Sequence, residues 1–90
     1  MPQATNPAFL DRLTQLVTKV IHESTGRKVT PKPDDRLIES GVLDSLSMVN
    51  LVIALQGEYP IELDTADLND KTFGSVRAIA DLLLARGVKA

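Results

Sequence analysis

Few residues in this chain could do chemistry. A hydrolytic triad needs a nucleophile, a base and an orienting acid, and Ser45, His22 and Asp44 fill those roles only on paper. His22 is the sole histidine. It follows the apolar pair Val20-Ile21 at the end of a helical pattern, the setting of a surface or partly buried structural histidine. No cysteine, second histidine or clustered acids complete a metal site. Asp34-Asp35, Glu62, Asp64, Asp67 and Asp70 read as solvated loop charges and helix-start residues. No glycine-rich phosphate loop is present. The residue set does not read as an enzyme.

Ser45 stands apart by position. It lies in Gly41-Val42-Leu43-Asp44-Ser45-Leu46, where an aperiodic stretch meets an apolar helical one. Two readings of Asp44-Ser45 fit. In one, the pair simply caps the helix. In the other, the first turn, with its free N–H groups and partial positive charge, favours a phosphate esterified to an exposed Ser45 hydroxyl.

Helices must position that junction. Asn6-Pro7 is a start signal, an N-cap side chain before proline at the first helical position. Phe9, Leu10, Leu13, Leu16, Val17, Val20 and Ile21 then make one stripe at helical spacing. This predicts a first helix over Pro7–Ser24, stopped at Gly26. Residues 26–44 have no period, and Pro31 and Pro33 break helix. Val29, Leu37, Ile38, Val42 and Leu43 should pin this long loop to the core, with a short helical turn near Arg36–Glu39. Asp44 is the N-cap of the second helix. Eight of its thirteen residues from Leu46 to Glu58 are apolar. That excess over one stripe predicts a helix central to the bundle. Only Ser47, Asn50, Ala54, Gly57 and Glu58 leave a non-apolar strip, and Gln56 falls off it without a role. Gly57 and Pro60 end the helix. One short helix is expected from Asp64 or Thr65. Ser75 caps the last helix, whose core face is Val76, Ile79, Ala80, Leu82 and Leu83, and Gly87 stops it.

Composition narrows the rest. Ninety residues, 43% of them hydrophobic, allow a single domain over 1–90 with a modest core. Its folded part is expected over 7–86, with 1–6 frayed. Ten basic residues against twelve acidic ones, net −2, argue against nucleic acid as a partner. The opening MPQATNPAF lacks the regions of a signal peptide. The longest unbroken apolar run, Leu51–Leu55, is far short of the roughly twenty residues that span a bilayer. The expectation is an all-α, monomeric, cytoplasmic protein without membrane contact: three main helices, one short helix and a long first loop.

The junction decides between the two readings of Ser45. Glu39-Ser40-Gly41-Val42-Leu43-Asp44-Ser45-Leu46 resembles the attachment motif of acyl, peptidyl and aminoacyl carrier proteins, with Asp-Ser-Leu opening the second helix. Tyr59-Pro60-Ile61 is similar to that helix's exit and Phe73-Gly74-Ser75-Val76 to the entry of the last helix. The likeness runs from helix one to Ala85. It implies a four-helix carrier bundle in which Ser45 bears 4'-phosphopantetheine, donated by coenzyme A through a phosphopantetheinyl transferase. Asp44 would cap the helix and help position the transferase's metal-bound donor. A chain without cysteine would take its only thiol from that arm.

The resemblance also implies partners that dock on the second helix: the transferase, a loading ligase or acyltransferase, and downstream biosynthetic enzymes. Fatty-acid carriers are acidic there. This chain has Ser47, Asn50, Gln56 and Gly57 at those positions, so long-range steering should be weak. Docking is expected on Val42, Leu46 and Met48 beside Ser45, with core filling the alternative role for Met48. The Gly-Val-Leu-Asp-Ser-Leu form is similar to that of D-alanyl carriers. The expectation is a freestanding carrier of a specialised pathway, with an aminoacyl or peptidyl cargo favoured over a polyketide. A carrier of fatty acid synthesis is the runner-up. A helical interaction module without a prosthetic group is the rival from another class.

Overall fold

A computed structural model describes residues 7–88 of the chain. Helix α1 is Pro7–Thr25, α2 is Ser45–Glu58, α3 is Asp70–Phe73 and α4 is Val76–Ala85. The architecture is all-helical among the described residues. The expected cap at Asn6 and the segment before it lie outside them.

α1 forms as its spacing predicts. Phe9, Leu10, Leu13, Val17, Val20 and Ile21 are buried on one face, while Leu16, expected on the same stripe, is only partly buried. Each such side chain contributes roughly 1.5–3 kcal/mol when fully removed from water. Gly26 ends the helix at φ +77°, donating its N–H to the His22 carbonyl at 2.8 Å. That left-handed backbone suits glycine and closes the last turn. α2 runs back along α1. Near one end Asn50 Nδ2 donates to Ser24 Oγ at 2.8 Å. Near the other, the Phe9 and Tyr59 rings meet edge to face with centroids 6.1 Å apart.

The burial of α2 corrects the expectation of a central helix. Only Ser47, Leu51 and Leu55 are buried. Leu46, Val49 and Ile53 are 60%, 48% and 62% exposed. Among the described residues nothing packs over that side. Ser47, on the expected non-apolar strip, is fully buried. Gln56 gains a role: its Oε1 accepts the Leu63 N–H at 2.8 Å and ties down the chain after the helix.

The long loop is held as expected, and by more than side chains. Leu37 and Leu43 are buried, while Val29, Ile38 and Val42 pack against the core. Its backbone is also bonded to the approach and start of α4. Leu37 N–H donates to the Gly74 carbonyl at 2.7 Å, and Arg77 N–H donates to the Pro33 carbonyl at 2.9 Å. The second bond satisfies an amide in the first turn of α4 that has no partner inside its own helix. Around Arg36–Glu39 the chain makes hydrogen-bonded turns, not helix.

The segment after α2 also departs from a single short helix. A 3-10 turn covers Thr65–Asp67, and α3 starts separately at Asp70. The break comes from Asn69, whose side chain accepts from Lys71 and Thr72 N–H while Thr72 Oγ1 accepts from Asn69 N–H. This reciprocal capping box fixes a helix start beyond the one expected at Asp64 or Thr65. Asp64 caps the 3-10 turn, its Oδ1 accepting from Ala66 N–H. α4 has the predicted cap and face: Ser75 Oγ accepts from Ala78 N–H at 3.1 Å, and Val76, Ile79, Ala80, Leu82 and Leu83 are buried. Gly87, at φ +96°, closes it.

Candidate functional site

The loop delivers Ser45 to the surface by a short series of backbone constraints. Gly41 turns the chain at φ +80°, with its N–H on the Ile38 carbonyl at 3.1 Å. Leu43 N–H then donates to the Leu37 carbonyl at 2.9 Å while the Leu43 side chain enters the core. One residue later the chain is extended at Asp44 (φ −109°, ψ −175°) and helix begins at Ser45. Burying Leu43 and starting a helix two residues on leaves both Asp44 and Ser45 exposed.

Asp44 is the N-cap. Its Oδ1 accepts from Ser47 N–H at 2.8 Å, and its carbonyl accepts from Met48 N–H at 2.8 Å. Its carboxyl is held below the ordinary value of 3.8, chiefly by the Ser47 backbone N–H and next by the Ser47 hydroxyl. That hydroxyl is buried and makes no hydrogen bond of good geometry, so the backbone bond is the firm one. Thus Asp44 is ionised near neutral pH and its charge is partly offset by the amides it caps.

The site has the features a serine phosphodiester requires. The Ser45 side chain is solvent-accessible, it sits in the first turn of a fourteen-residue helix, and the backbone on both sides is fixed. His22 lies elsewhere. It lines a groove between α1 and the Lys28–Thr30 segment and makes no hydrogen bond to Ser45 or Asp44. The hydrolytic arrangement therefore does not assemble. No group of His, Asp and Glu that could hold a metal ion occurs among the described residues.

Residues 11–83 match the family model described as phosphopantetheine attachment site. The match spans most of α1, the loop, α2, α3 and most of α4. The chain belongs to this family of carrier proteins. Its prosthetic group is covalently bound phosphopantetheine. It is similar to the D-alanyl carrier protein of Enterococcus faecalis, 28% identical over 68 residues that cover 74% of this chain and 87% of the relative. The D-alanyl carrier protein of Leuconostoc citreum is 30% identical over 53 residues, 59% of this chain and 68% of its own. D-alanyl carrier protein 2 of Lactiplantibacillus plantarum is 29% identical over 59 residues, 66% and 74% respectively.

Of the docking residues expected on this carrier, the fold exposes one. Leu46 projects beside Ser45, whereas Val42 and Met48 are half-buried and pack on the core. Sequence reasoning missed Val49 and Ile53. With Leu46 they occupy positions i, i+3 and i+7 and form one exposed apolar stripe down α2 from Ser45. The signal was present in the excess of apolar residues over one buried face. That excess suggests a helix central to the bundle, whereas the fold leaves one apolar side exposed. No helix among the described residues is long and apolar enough to cross a membrane.

Proposed function

We propose that Ser45 is the attachment point of the phosphopantetheine arm and that the chain carries aminoacyl intermediates between partner enzymes. The observation that carries this reading is the exposed Ser45 side chain at the first residue of α2, set there by the Asp44 cap and the buried Leu43. When bound, the arm supplies the thiol on which cargo is held as a thioester.

The chain's own residues have separate tasks. Ser45 Oγ forms the phosphoester and attacks no cargo. Asp44 caps the helix and helps position the transferase's metal-bound donor. Leu46, Val49 and Ile53 supply an apolar docking surface for the transferase, a loading ligase and the downstream enzymes. Tethering the cargo at Ser45 raises its effective concentration at any active site docked there. In this reading the chain is a carrier and not an enzyme. The names of the relatives favour an amino acid, specifically a D-alanyl group, over a fatty acyl chain.

The test is intact mass. Incubation with coenzyme A and a promiscuous phosphopantetheinyl transferase should add one phosphopantetheinyl group. The Ser45→Ala variant should gain none, and labelling of that variant would refute the site. Offering the modified protein and ATP to adenylating ligases of different amino-acid specificity then identifies the cargo.

A further inference from the structure

A cleft of about 350 Å³ opens between α1 and α2, alongside the exposed stripe and lined by Val20, Glu23, Ser24, Asn50, Ile53 and Ala54. We propose that this cleft is a resting site for a small aminoacyl cargo, with Glu23 as the counter-ion of its ammonium group. The inference rests on Ser45 as the attachment point and on an amino-acid cargo.

The lining has the right chemistry. Exposed Ile53 and half-buried Ala54 offer apolar surface beside the buried Val20. Asn50 Nδ2 is already used on Ser24 Oγ. Its Oδ1 is left as an acceptor for an amide N–H. Glu23 is the only charged residue in the lining, and it makes no ion pair among the described residues. It also sits in the last turn of α1, where the helix dipole disfavours a carboxylate. An exposed negative charge kept there, beside an apolar floor with no cation in the lining, is complementary to an ammonium.

The reach is adequate. Asn50 and Ala54 lie five and nine residues beyond Ser45, about 7–14 Å along the helix axis. Leu46 and Val49 lie between and can carry the arm's apolar portion. The interior favours this surface site over deep burial. Leu51, Leu55, Phe73, Ile79 and Leu83 are fully buried and pack in one core cluster. A long acyl chain would have to displace them.

The contact must be weak. A single exposed ion pair contributes little and is screened by salt, but tethering makes even a weak contact populated. Ile53 belongs both to the cleft and to the docking stripe. A partner that covers Ile53 therefore competes with the resting cargo and frees it for transfer.

The test uses the full chain carrying synthetic arms in which an amide replaces the thioester, so that the cargo is not lost by hydrolysis. One arm ends in alanyl and the other in propionyl, which lacks only the amine. Both are installed with the transferase and verified by intact mass. In 1H–15N spectra, the alanyl arm should move the amides of Glu23, Ser24, Asn50, Ile53 and Ala54 relative to the unacylated arm. Propionyl should not, and Glu23→Gln or high salt should abolish the difference. Glu23 is exposed, so the variant keeps the fold, which its thermal melt checks. Identical spectra for the two arms, or shifts confined to residues 42–47, would overturn the cleft. Absence of any modification at Ser45 would be seen first, in the mass, and would sink the attachment reading along with it. Loading of the natural arm with a cargo other than an amino acid would remove the cleft's proposed occupant, whatever the synthetic arms show.

Discussion

Arg77 grips Asp34 across forty-three residues of sequence, Nε to Oδ1 at 2.7 Å and Nη2 to Oδ2 at 3.3 Å. The same arginine donates its backbone N–H to the Pro33 carbonyl at 2.9 Å. One residue at the start of α4 thus holds the long loop twice, by side chain and by main chain. The side-chain pair is exposed, and exposed pairs contribute little. The main-chain bond and the buried Leu37 and Leu43 carry the attachment. Asp34→Ala should therefore leave both the thermal midpoint and the rate of phosphopantetheinylation nearly unchanged. A large loss of labelling in that variant would show that the ion pair, not the buried leucines, sets the loop.

The converse substitution is Leu43→Ala. Leu43 is 2% exposed and its neighbour in the chain is the N-cap of α2. Removing the buried side chain should destabilise the fold by about 2–5 kcal/mol, read from urea unfolding. Hydrogen exchange should rise first in residues 37–47. The labelling rate should fall even where the protein remains folded, because the Ser45 junction loses its anchor.

Acid should weaken the domain in a defined direction. Asp44 is depressed chiefly by the Ser47 backbone N–H, Asp34 chiefly by its Arg77 hydrogen bond, and Asp67 chiefly by the Asp64 backbone and then by Arg86. Each has a folded value below the ordinary 3.8. Their contribution is complete above that value and is lost as pH falls through the lower, folded ones. The urea midpoint should be flat from neutrality to about pH 5 and drop below about pH 4. Asp44→Asn keeps an acceptor oxygen for the Ser47 amide but removes the titration. Its acid limb should be shallower than that of the parent protein.

The exposed stripe predicts partner binding by apolar contact. Leu46→Glu and Ile53→Glu should change stability by no more than about 0.5 kcal/mol, because both positions face water. They should nonetheless weaken binding to the loading enzyme severalfold in a calorimetric titration. Binding by the unaltered protein should vary little between low and high salt, since only Asp44 and Glu58 bring charge to the ends of the helix. Steep salt dependence would favour the fatty-acid type of carrier.

Much of the molecule was legible in the residues alone, wherever the deciding interaction is local. Asp44 and Ser75 announce helix starts because a capping side chain bonds an amide three residues on. Gly26 and Gly87 announce helix ends because the backbone there needs a positive φ. The stripes of α1 and α4 follow from their spacing, with Leu16 alone only partly buried, since an amphipathic helix in a small bundle has one side to bury. The Asp-Ser-Leu junction pointed to the proposed attachment site for a similar reason: the motif that carries the resemblance lies within the consecutive residues Glu39 to Leu46. Only the tertiary structure decided the rest. Thirteen residues with eight apolar ones do not reveal which of them the bundle leaves uncovered. That depends on α1 packing on α2, which takes Leu51 and Leu55 into the core and, among the described residues, leaves Leu46, Val49 and Ile53 exposed. The burial of Ser47, the bonds from Leu37 to Gly74 and from Pro33 to Arg77, and the cleft that brings Glu23 beside Ile53 all join residues far apart in the chain. No periodicity encodes such pairs, because they exist only once the helices have packed.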